Sequence, residues 1–98
     1  MTRTEIHKEL CEDLHDLYKK KNLDYGDSFR ITRERFPEAI LIRLWDKMNR
    51  LTNLMKGNGY YAVDEPIEDT LLDLANYALL ELVERKQDAL KGSTDGGL

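Results

Sequence analysis

The sequence is poor in the residues that staple or punctuate a fold. It has one cysteine, Cys11, in 98 residues, so no disulfide can form within the chain, and a lone thiol fits a reducing compartment. It has two prolines and six glycines, three of the glycines within the last seven residues. An all-β domain needs turn residues at far shorter intervals, so the scarcity argues against a β-sandwich or barrel. No apolar run approaches the roughly 18 residues of a membrane span, and no leader pattern opens the chain, so a cytoplasmic location is expected. A Walker loop, a GxSxG elbow and a Rossmann fingerprint are all missing, which excludes those nucleotide and hydrolase folds.

What is present is charge. Charged residues make up 35% of the chain against 41% hydrophobic, with a formal net charge of −4. General nucleic-acid binding is not expected, because neutralising phosphates needs a basic surface. The distribution is uneven. Residues 1–29 carry −2 (five basic, seven acidic), residues 30–58 carry +4 (seven against three), and residues 59–98 carry −6 (three against nine). A basic middle set against an acidic C-terminal part suits a metal beside a phosphate, and equally suits surface ion pairing.

Periodicity predicts an all-α fold: a small bundle of three main helices over residues 1–91, followed by a disordered tail at 92–98. The first helix spans about Thr4 to Lys21, with Ile6, Leu10, Leu14 and Leu17 on one face and Thr4 as its N-cap. A turn is expected over Asn22–Asp27, and Ser28–Phe36 reads as a short helix or irregular chain. The second helix starts near Pro37 and ends before Gly57, with Ile40, Leu44, Met48, Leu51 and Met55 facing inward. The third runs from about Glu65 to Lys91. It is apolar on most of its circumference, with a narrow polar stripe of Thr70, Tyr77, Glu81 and Glu84. Three helices cannot surround such a helix, so completion of the bundle by self-association is expected.

Three sets of residues could carry chemistry. Glu65, Asp69 and Asp73 stand four apart in a column that Asn76 joins, and carboxylates leading into an apolar face suit a hard cation such as Mg²⁺. The competing reading is a solvated first turn whose acids favour the helix dipole. Arg43, Asp46, Lys47 and Arg50 could form a phosphate clamp with an acid beside it, or a salt-bridged exposed face. His7, Cys11 and His15 also stand four apart, but a fourth zinc ligand is lacking and the column is expected to be metal-free. Tyr25, Tyr60 and Tyr61 fall in loops, where a ring can stack on a base or pack on a helix.

Three stretches together resemble the nucleotide modification associated domain type 1 family of small all-helical phage and bacterial proteins. They are Asn22-Leu23-Asp24-Tyr25-Gly26-Asp27-Ser28-Phe29, Ile42-Arg43-Leu44-Trp45-Asp46-Lys47-Met48-Asn49-Arg50-Leu51, and Asp64 through Tyr77. A more distant similarity is to the MazG-type all-α nucleoside triphosphate pyrophosphohydrolases, whose late acidic motif Asp69 and Asp73 resemble. The resemblance implies a nucleotide-binding protein of phage or bacterial nucleotide metabolism, working as a Mg²⁺-dependent nucleoside triphosphate (pyro)phosphohydrolase. In that reading Asp46, Asp69 and Asp73 hold the metal, with Asp46 and Asp73 catalytic. Arg43, Lys47 and Arg50 neutralise phosphate, while Tyr25, Tyr61 and Asn76 complete the nucleotide site. The alternative is a phage protein that sequesters a nucleotide signal in an intersubunit pocket without hydrolysing it.

Overall fold

The structure, a computed structural model, describes the backbone of residues 1–25, 27–56 and 66–96, and the side chains of 1–21, 27–56 and 66–92. It is all-α, in the order α1 (Arg3–Tyr25), α2 (Ser28–Arg35), α3 (Ala39–Met55) and α4 (Ile67–Gly96), with no strand among the described residues. The Ser28–Phe36 segment is therefore a fourth, short helix. The sequence stretches containing Tyr60–Tyr61 and Glu65 lie outside the described residues, as does the Tyr25 side chain.

Local chemistry explains the boundaries. α1 starts earlier than Thr4 because Thr2 and Glu5 form a capping box. The Glu5 amide donates to Thr2 Oγ1 at 3.1 Å, and the Thr2 amide donates to Glu5 Oε2 at 3.3 Å. It also runs past Lys21 through Asn22–Asp24, residues that favour turns but do not break a helix. The break comes at Asp27, which adopts the left-handed region at φ 47°, a conformation that aspartate tolerates better than most residues. α2 stops before Pro37: the ring forbids helical geometry at Phe36, whose φ and ψ are −131° and 88°. A turn in which the Ala39 amide bonds the Phe36 carbonyl at 2.9 Å leads directly into α3.

α3 and α4 form the main packed pair, with α1 touching α4 and α2 touching α3. α3 presents Ile40, Leu44, Lys47, Leu51 and Leu54 inward, a face rotated from the expected one, so that Met48 and Met55 are exposed. Rotation brings Lys47 to α4, where Asp73 supplies its counter-charge. α4 is turned likewise. Its polar stripe faces the other helices, with Thr70 fully buried and Asn76 and Glu81 at 4% and 8% exposure, while Leu71, Leu79, Leu82 and Val83 face outward. Ala39 is the one buried apolar residue among those described. The inside of this chain thus combines half-buried aliphatic residues with a buried polar stripe and the ion pairs Lys47–Asp73 and Arg33–Glu81.

Candidate functional site

The end of α1, the start of α2, the first half of α3 and the middle of α4 enclose a cavity of about 330 Å³. That volume lies at the small end of small-ligand pockets. α4 contributes Asn76, Tyr77, Leu80 and Glu84, all from its inward-turned stripe. α1 contributes Tyr18 and Lys21, α3 contributes Arg43, and Asp27 with the first turn of α2 (Ser28, Phe29, Arg30) completes the wall.

Each side chain has a distinct character. Phe29 and Tyr77 form a tilted ring pair, with centroids 6.2 Å apart at 52°, one of the geometries that aromatic quadrupoles favour. Arg30 is held by Asp27 (Nη2 to Oδ2, 3.3 Å) and by Glu34 (Nη1 to Oε1, 2.9 Å). Those hydrogen bonds, Asp27's foremost, push its pKa further above the usual guanidinium value. Lys21 and Arg43, both exposed, make no ion pair among the described residues, although Asp27 and Glu84 line the same cavity. Asn76 is 96% withdrawn from solvent on a four-percent exposure, lines the cavity, and makes no side-chain hydrogen bond among the described residues. An amide carries two donors and an acceptor, and this one meets the cavity, where a ligand or water can bond it.

α2 is fastened one turn beyond the cavity residues, on the same face of the helix. Arg33 bonds Glu81 through Nε–Oε1 (2.9 Å) and Nη2–Oε2 (3.2 Å), and reaches Asp88 at 3.0 Å. Arg85 adds a 2.7 Å bond to Glu81 Oε2. The Arg33 guanidinium, with Arg85 adding to it, holds the Glu81 carboxyl below the usual carboxylate range, although burial opposes the shift.

Of the residues singled out in the sequence, Arg43 and Asn76 meet at this cavity. Lys47 and Asp73 are brought together elsewhere on the α3–α4 seam, Nζ to Oδ2 at 3.0 Å, each side chain 25% exposed. Asp46, Asp69 and Arg50 are exposed. Tyr61 lies outside the described residues, and the Tyr25 side chain does too. Asp73 is committed to Lys47, and no group of three or more His, Cys, Asp or Glu side chains could hold a metal among the described residues. On α1, Cys11 Sγ lies 3.8 Å from His7 Nδ1, and both are exposed with His15.

Sequence reasoning missed Tyr18, Lys21, Phe29, Arg30, Tyr77 and Glu84 as cavity residues. The signal available was the position of the three sequence stretches. Asp27, Ser28 and Phe29 come from the first, Arg43 from the second, and Asn76 with Tyr77 from the third. Three stretches separated along the chain thus converge on one cavity.

No helix among the described residues is long and apolar enough to cross a membrane. No curated protein and no solved structure matches the chain. The model of the nucleotide modification associated domain 1 family matches residues 21–84, a span that takes in every cavity residue but Tyr18, and the chain belongs to that family.

Proposed function

We propose that the protein binds a phosphorylated nucleotide in the cavity between α1, α2, α3 and α4. The observation that carries this reading is Asn76, whose largely buried side chain lines the cavity beside Lys21 and Arg43 and makes no hydrogen bond among the described residues. Lys21 and Arg43 take the phosphate, with charge-assisted bonds that Arg43 can make in bidentate form. Asp27 gives α2 no side-chain cap, so the uncapped amides of its first turn add to the favourable field for an anion. Phe29 and Tyr77 offer ring surface to the base, and Asn76 reads one of its polar edges. Ligand binding supplies the partners that Asn76, Lys21 and Arg43 lack.

Retention rather than turnover is the activity this arrangement supports best. Among the described residues the carboxylates at the cavity are Asp27, engaged by Arg30, and Glu84, and Asp46, Asp69 and Asp73 are not part of its lining. The experiment is calorimetric titration with nucleoside mono-, di-, tri- and cyclic phosphates, with and without Mg²⁺, followed by denaturation and chromatography of the ligand. The reading expects binding that Arg43→Ala weakens by about 10- to 100-fold, and recovery of intact nucleotide. Release of phosphate or pyrophosphate would assign a hydrolytic step, and failure of every nucleotide to bind would overturn the reading.

A further inference from the structure

The molecule is too large in surface and in radius for its mass. Its accessible surface is 7988 Å², whereas a compact monomer of 11.5 kDa exposes about 5,800 Å² on the usual scaling with mass. Its radius of gyration is 16.4 Å, against about 13 Å for a compact domain of this length. The excess surface of roughly 2,000 Å² is on the scale that one subunit hides in a permanent interface. It is also apolar where it matters. Leu71, Leu79, Leu82, Val83 and Leu90 lie on one arc of α4 at 43–59% exposure, and Lys86 is the one ionic side chain on that arc between Leu71 and Leu90.

We propose that this outward arc of α4 is the contact surface for a second copy of the chain, and that the chain is stable only in that assembly. The occupant follows from the interior. With Ala39 the one buried apolar residue described, a lone chain has little hydrophobic driving force for folding. The missing apolar burial must therefore be available whenever the chain is folded, and a copy of itself is the partner present in fixed proportion. An arc that is apolar but for Lys86 is also able to meet its own copy across a two-fold axis, as an isologous contact requires. The same contact explains the inverted helix: α4 spends its polar stripe on the seam with α2 and α3 because its apolar arc is destined for the partner.

The test is sedimentation of the full chain at micromolar concentration, together with thermal melts over a dilution series. Folding coupled to assembly makes the melting temperature rise with concentration. Two double variants, Leu79→Glu with Leu82→Glu and Leu79→Lys with Leu82→Lys, should each lose assembly and helical signal alone. Mixed in equal amounts, they should recover both as complexes containing one of each, read by native mass spectrometry. A folded wild-type monomer with a concentration-independent melting temperature would overturn the proposal. So would charged variants that assemble like the wild type, or a mixture that recovers nothing.

Discussion

The Arg33 guanidinium on α2 grips both oxygens of the Glu81 carboxylate on α4, at 2.9 and 3.2 Å. Phe29 and Arg30 lie about one turn upstream on the same short helix and border the cavity. The grip therefore sets where two of the cavity's side chains stand. Replacing Arg33 with Met should leave Glu81, 8% exposed, with Arg85 as its single partner. The expected cost is about 2 kcal/mol of stability, read by denaturant melts, with weaker nucleotide binding at temperatures where the variant remains folded. Unchanged stability would mean that α2 is positioned by something else.

Acid should release the same grip. Glu81 has its folded-state pKa lowered by Arg33 and Arg85, so its contribution is complete above the unfolded-state value near pH 4.5. That contribution fades as pH falls through the ordinary carboxylate range and into the lower folded-state range. Melting temperatures of wild type and Glu81→Gln should differ most above about pH 5 and draw together as pH falls below the ordinary carboxylate range. Curves that stay parallel down to acid would contradict the assignment.

Thr70 is fully buried, and its Oγ1 has no hydrogen-bond partner. A buried hydroxyl without a partner costs stability, and valine has nearly the same shape without the oxygen. Thr70→Val should stabilise the protein by about 1 kcal/mol, visible as a raised denaturation midpoint. Destabilisation would show that the hydroxyl is bonded in solution.

Asp73 pairs with Lys47 at 3.0 Å across the α3–α4 seam. Asp73→Asn should cost about 1 kcal/mol of stability and leave nucleotide affinity close to wild type, because neither partner borders the cavity. A double-mutant cycle with Lys47→Met should recover the coupling between the two. Loss of nucleotide binding in Asp73→Asn, without loss of fold, would restore Asp73 to the functional site.

The helical fold was legible because its signals are local: apolar spacing in each segment, Pro37 between α2 and α3, and almost no β punctuation. The N-cap was misplaced: Thr4 is a plausible capping hydroxyl, whereas the reciprocal bonds form between Thr2 and Glu5, two residues earlier. Which way a helix faces is a different matter. Periodicity on α4 correctly separates Thr70, Tyr77, Glu81 and Glu84 from the leucines. It says nothing of which set meets the rest of the same chain, and the usual preference for apolar burial points the wrong way here.

The site was legible in part for the same reason. Arg43 and Asn76 were marked by residue type and meet at the cavity, whereas Lys47 and Asp73 carry equally suitable groups and neutralise each other. Spacing along one helix places side chains on a face. Only the rotation of α3 against α4 decides whether a charge finds a ligand or a neighbour. Phe29 and Tyr77 come together although they stand 48 positions apart in sequence, a pairing that no local pattern encodes.

The most direct test of the nucleotide site is backbone amide NMR of the assembled protein during titration with the tightest nucleotide of the panel. The largest shifts should fall at Asp27, Ser28, Phe29 and Arg30, at Arg43, and at Asn76 and Tyr77, and Asn76→Leu should abolish the pattern. Shifts gathered instead around Asp46 and Arg50 on the exposed side of α3, with the cavity residues unmoved, would contradict the account.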